Sequence, residues 1–205
     1  MLVFYKERLA FLAVPKTGTT AYHSALKDHA DVVISGPPEL KHMPVYRYNR
    51  FMRPMFERAC QAELELMAVM REPISWLGSW YRYRRRPEMK GHANSTHKVS
   101  FDDFIQAYAS GAADGFANVG SQAQFLAPRP NGTAITHYFT YEDQPRLKAF
   151  LEDRLGLQFT LARENTSPNM PLHLSEKVEE HLRESCPDEF TLYESICAHR
   201  RKPEP

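Results

Sequence analysis

The chain has 205 residues, 42% hydrophobic and 25% charged, with a formal net charge of +1. That composition fits one globular domain over 1–205 with a real core. It sets up no global field that demands nucleic acid or a membrane as partner, so anion binding must come from local clusters. The cysteines (Cys60, Cys186, Cys197) are odd in number and widely spaced. They form no disulfide framework and no CxxC metal pair, and a reducing, cytoplasmic setting is expected. The first apolar stretch is broken by Lys6, Glu7 and Arg8. It therefore does not read as a signal peptide, and no apolar run approaches the length of a membrane span.

Along the chain, "LVFY" and "RLAFLAV" are short strands split by a charged turn. Residues 19–29 suit a helix with Thr19 or Thr20 near its N-cap, and 31–35 a β-branched strand. Pro37, Pro38 and Pro44 make 36–44 irregular. Residues 45–60 are helical by spacing but interrupted at Pro54, and "ELELMAVM" ends in a buried strand. A helix then opens at Pro73. Ser100 and Asp103 are placed for a capping box on the next helix, and 121–127 is a short helix. "TAITHYFTY" is a strand, and an amphipathic helix starting near Pro145 is closed by Gly156. Two more helices end the chain, with Phe190 and Tyr193 expected to pack on the sheet. Strands alternating with helices predict an α/β fold with a mostly parallel sheet covered on both faces, and ligands at the carboxyl ends of its strands.

Three loops at such ends are chemically loaded: 15–20, 36–44 and 71–79. The first, "VPKTGTT", places Pro15, Lys16, Thr17, Gly18, Thr19 and Thr20 between a strand and a helix. Successive backbone amides in a glycine-containing turn form an anion nest, reinforced by the helix dipole. Lys16 adds a charge and the threonines add hydroxyl donors. The lysine precedes the glycine, whereas a triphosphate P-loop wants it directly after. In the third loop Arg71 ends a strand, and Ser75, Ser79, Arg82 and Arg86 follow on one helical face. Arg84, Arg85 and Arg86 otherwise read as a solvated basic face, and Trp76, Trp80 and Tyr83 as core. Asn118, Ser121 and Gln122 read as a polar cap.

"VPKTGTT" followed by "REPISWLGSWY" resembles the sulfotransferases that use 3′-phosphoadenosine-5′-phosphosulfate (PAPS), in wording closest to the branch with carbohydrate 2-O-sulfotransferases and small bacterial relatives. "RENTSPN" (163–169) is similar to a segment that closes near the nucleotide in that branch, so the likeness runs from 11 to 168. The resemblance implies a P-loop-NTPase-like three-layer sandwich, PAPS as co-substrate and no metal. It assigns loop 15–20 to the 5′-phosphosulfate, Arg71 and Ser79 to the 3′-phosphate, and Asn165 and Ser167 to the nucleotide. Transfer of a sulfuryl group to a hydroxyl or amine would use Lys16 to stabilise the leaving oxygen and a base to take the acceptor proton. His42 has the better intrinsic pKa for that base, and Glu39 is the alternative. His23 and His137 are weaker ones. Lys41 would orient the donor sulfate or an anionic acceptor.

The acceptor is a small molecule, a carbohydrate or a lipid head group, which the sequence does not distinguish. A small-molecule kinase or a non-catalytic nucleotide-binding relative are the other readings. A nucleic-acid partner is not expected, because no recognition motif accompanies "RYRRR".

Overall fold

The apolar runs pair into one sheet. A computed structural model describes residues 1–111, 115–162 and 170–199. The chain opens with β1 (Leu2–Phe4), β2 (Leu9–Leu12), α1 (Thr19–Leu26) and β3 (Val32–Val33). Next come α2 (Pro38–Lys41), α3 (Val45–Arg47), α4 (Arg53–Cys60), β4 (Glu65–Met70) and α5 (Pro73–Arg84). The remainder is α6 (Phe101–Ala109), α7 (Gln122–Leu126), β5 (His137–Thr140), α8 (Gln144–Leu155), α9 (Glu176–Ser185) and α10 (Pro187–His199).

The strand order is β3-β1-β2-β4-β5. β1 is antiparallel to both β2 and β3, while β2, β4 and β5 are parallel. Every strand but β1 therefore points the same way, and β2, β3, β4 and β5 deliver their carboxyl ends to one edge. The expected mostly parallel sheet is thus a mixed one with a parallel core. Strand 31–35 shrinks to two residues at a sheet edge, where its one partner is the three-residue β1.

Side-chain alternation splits the core between the two faces. Leu2, Phe4, Leu9, Phe11, Met67 and Val69 pack with Tyr22 and Leu26 of α1 and Leu147 and Leu151 of α8. Val3, Ala10, Leu12, Leu66, Ala68 and Met70 face Val45, Tyr48, Phe56, Leu126 and Ile196. A third cluster joins α5, α6, α9 and α10 through Trp76, Tyr81, Phe104, Leu182 and Phe190. Phe190 thus packs among helices, while Tyr193 packs against the sheet-side cluster as expected.

Pro73 opens α5, the Ser100–Asp103 capping box is formed, and Gly156 ends α8 at φ 63°. The segment 45–60 departs from expectation. A π turn over Tyr48–Met52 joins α3 to α4, with the Arg53 amide reaching back to Tyr48 O. Pro54 falls in the first turn of α4 rather than breaking the helix, because its missing N–H is tolerated there. Among the described residues no helix is long and apolar enough to cross a membrane.

Candidate functional site

The loop after β2 turns sharply at two left-handed residues, Lys16 (φ 65°) and Gly18 (φ 75°), before α1 begins at Thr19. Gly18 is favoured on two counts. A left-handed backbone disfavours a side chain, and a Cβ there would sit 3.1 Å from the Tyr141 ring. Thr17 is fully buried, and its hydroxyl donates to Val14 O at 2.9 Å. The expected hydroxyl donor is therefore turned inward to close the loop. Thr19 is buried and Thr20 half-buried. The Trp76 indole N–H donates to Pro15 O at 2.8 Å and ties the loop to α5.

Arg71 leaves the end of β4 and points back at this loop. Its Nη1 donates to Lys16 O at 3.4 Å and its Nε to Ser75 Oγ at 2.9 Å. The guanidinium lies 4.2 Å from the Tyr141 ring centroid. Ser79, one turn beyond Ser75, is buried. Glu72 caps α5 by accepting from the Ile74 and Ser75 amides.

Lys16 reaches sideways over α5, its ammonium 4.2 Å from the Tyr83 ring centroid and 5.6 Å from that of Trp80. Burial, then the charges of Arg86 and Arg71, push its pKa down to about 8. Arg86, 4.8 Å over the same Tyr83 ring, thus belongs electrostatically to this site. Trp80 and Tyr83, expected as core, form the seat of the lysine.

His42 follows α2 and turns toward the end of β2. Its Nδ1 lies 2.7 Å from Ala13 O at the end of β2. A carbonyl only accepts, so Nδ1 carries the hydrogen and Nε2 is the basic nitrogen of the neutral ring. Burial is the largest influence on this imidazole and pulls its pKa below the usual range. Glu39 is exposed on α2, and its carbonyl accepts from Arg47 Nη1 at 3.1 Å. Lys41, half-buried, lies in the last turn of α2, where its charge acts on His42.

The structure brings together Lys16, Gly18, Arg71 and His42, and it adds residues that the sequence reading passed over. Tyr141 follows β5 and lies against both Gly18 and Arg71. Gln144 donates to Tyr141 O and accepts from Tyr22 OH of α1. The Glu142 carboxylate accepts from the Glu72 amide at 3.0 Å and from Tyr193 OH at 3.1 Å. Gln122, read as a cap, is fully buried and brackets Arg71: Oε1 accepts from its amide at 3.0 Å and Nε2 donates to its carbonyl at 2.9 Å. Ser121 is the actual cap of α7. The position of 141 and 142 immediately beyond β5, at the carboxyl edge of the sheet, was the one available signal.

Other expectations are corrected. Arg84 is buried rather than solvated, with its guanidinium donating to Gly115 O at 2.5 Å and Asn118 O at 2.7 Å. Arg85 donates to Tyr81 OH and Thr96 O. Arg84 thus serves carbonyls of the connection after α6, and Arg85 one of the connection before it. His137 pairs with Glu65 at the opposite, amino end of the parallel strands. His23 lies 3.4 Å from Ser35 Oγ. Asn165 and Ser167 lie outside the described residues.

No family model matches this chain, and no curated protein matches it.

Proposed function

We propose that this chain is a PAPS-dependent sulfotransferase built on a P-loop-NTPase-like α/β frame. The observation that carries the reading is the junction of the three loaded loops. Arg71 donates to the Lys16 carbonyl, and His42 donates to Ala13 O three residues before it, so cation, anion nest and base share one strand edge. In this reading the backbone of 15–20 and Lys16 hold the 5′-phosphosulfate. Arg71, oriented by Ser75 and Tyr141 and joined by Ser79, holds the 3′-phosphate, with Asn165 and Ser167 assigned to the nucleotide. PAPS supplies an activated sulfuryl group and a bisphosphate leaving group.

His42 accepts the acceptor's proton at Nε2, because Nδ1–H is committed to Ala13 O. Its lowered pKa keeps the ring neutral and able to accept at neutral pH. Lys16 faces the negative charge that grows on the leaving oxygen, a stabilisation commonly of about 3 kcal/mol. For it to do so the ammonium leaves its seat on Tyr83. Glu39, out in solvent, ranks below His42 as base. Lys41 is the residue for an anionic acceptor or the donor sulfate, and the acceptor is a hydroxyl or amine of a small molecule, carbohydrate or lipid head group.

The test is thermal-shift titration with adenosine 3′,5′-bisphosphate beside ATP plus Mg²⁺, on wild type, Lys16→Ala and Arg71→Ala. Bisphosphate at about a hundredfold its Kd stabilises the fold by about 2.7 kcal/mol, and either substitution removes the shift. A larger shift with ATP and Mg²⁺ replaces this reading by a kinase. No shift with either ligand on a folded protein leaves a non-catalytic relative.

A further inference from the structure

The helical run 45–60 buries one face and leaves an unusual one outside. Val45, Tyr48 and Phe56 are buried against the sheet, with Met52 packed beside them. On the solvent side Tyr46 is 45% exposed, Phe51 58% and Met55 43%. A regular α-helix would rotate residues five apart away from each other. The π turn over Tyr48–Met52 takes up the additional residue, so Tyr46, Phe51 and, four further on, Met55 share one stripe. Leu40 of the neighbouring α2 is 45% exposed, and α2 is tied to this run by the Arg47–Glu39 carbonyl bond.

The stripe is framed by cations. Arg50 and Arg58 are exposed and Arg47 half-buried. The Arg50 guanidinium sits 5.3 Å from the Phe51 ring centroid, and that of Arg47 5.6 Å from the Tyr46 ring centroid. Arg53 is turned inward onto Glu57 and Thr133. The acidic groups nearby are Glu57, spent on Arg53, Glu63 at 3.9 Å from Arg53, and exposed Glu39. The outward charge of the run is therefore positive, although the whole chain carries only +1.

We infer that this face docks on the surface of an anionic phospholipid bilayer. Aromatic and thioether side chains enter the headgroup boundary while arginines beside them meet lipid phosphates, the chemistry of an interfacial helix. Self-association is disfavoured by charge, because a two-fold contact would set the patch that carries Arg47, Arg50 and Arg58 against a second copy of the same positive patch. The face lies on the surface and does not enter the bilayer core, in keeping with the absence of a spanning helix among the described residues.

The experiment is co-sedimentation of the full chain with phosphatidylcholine vesicles, with and without phosphatidylglycerol, and no nucleotide present. The chain pellets with the phosphatidylglycerol vesicles only, and raised salt releases it. Arg50→Glu with Arg58→Glu lowers that partitioning by at least about tenfold. Phe51→Ser with Met55→Ser lowers it comparably, and every variant still unfolds in one cooperative transition, which separates loss of partitioning from loss of fold. The inference is overturned if the chain stays in the supernatant, or pellets equally with phosphatidylcholine alone. It is also overturned if the substitutions leave partitioning unchanged, or if gel filtration finds a dimer that Phe51→Ser dissolves. None of these outcomes bears on nucleotide binding, so the donor-site reading stands or falls separately.

Discussion

Lys16 concentrates the electrostatics of the site in one side chain. Its ammonium is charged below about pH 8 and neutral above it, because burial and two nearby arginines oppose the charged form. The folded pKa lies below the ordinary value of 10.5, so the cost of holding the ammonium is full below about 8 and fades between 8 and 10.5. Folding stability from this group therefore rises with pH across that window. On the proposed reading, anion affinity moves the opposite way. Calorimetric titration with adenosine 3′,5′-bisphosphate will show affinity falling as pH rises through about 8, and Lys16→Arg will flatten the profile, because a guanidinium stays charged. A profile of wild type as flat as that of the variant would remove Lys16 from the anion site.

At the scale of elements, the site depends on how α7 and α10 brace the end of β4. Gln122 pairs with both backbone groups of Arg71 from within the protein. Glu189 of α10 accepts from the Ala123 amide of α7, and burial pushes its carboxyl up from the usual range. Tyr193 of the same helix reaches Glu142, which holds the Glu72 amide. The residues on either side of the β4–α5 junction are thus held from two directions. Gln122→Ala leaves a buried N–H and C=O unpaired and should cost about 2 kcal/mol or more in chemical denaturation. It should also weaken bisphosphate binding, whereas Ser121→Ala, which removes the helix cap and a hydrogen bond to the buried Glu189 carboxylate, should cost about 1–2 kcal/mol and leave binding unchanged. Equal effects of both on binding would show that α7 supports the site only by being folded.

At the scale of the molecule, the third cluster stands apart from the sheet, among α5, α6, α9 and α10. α10 nevertheless joins the two, with Ile196 in the sheet-side cluster and Phe190 in the helical one, so the two should unfold together. Phe104, fully buried in the helical cluster, and Leu147, fully buried on the sheet, report on each side. Leu147→Ala should cost about 2–5 kcal/mol and Phe104→Ala about 3–5, and each should lower one and the same thermal transition. Two transitions, moved separately, would mean that 1–205 is more than one cooperative unit.

What the amino-acid order determined by itself was local: proline at the start of α5, the Ser100–Asp103 box, Gly156 closing α8, and the Lys16–Gly18 turn between strand and helix. These rest on backbone geometry and on bonds between residues a few positions apart, which a linear pattern carries. The alternation of strands and helices also carried the α/β class. Tertiary structure alone decided the rest. The β1–β2 hairpin made the sheet mixed, since pairing direction depends on which strands meet. Arg84 went inward to the distant carbonyls of Gly115 and Asn118, and Thr17, expected as a ligand donor, became a loop clasp. Tyr141, Glu142 and Gln122 joined the site because strands and helices far apart in the chain end at the same edge, and a side chain's partners across that edge leave no periodicity in the sequence.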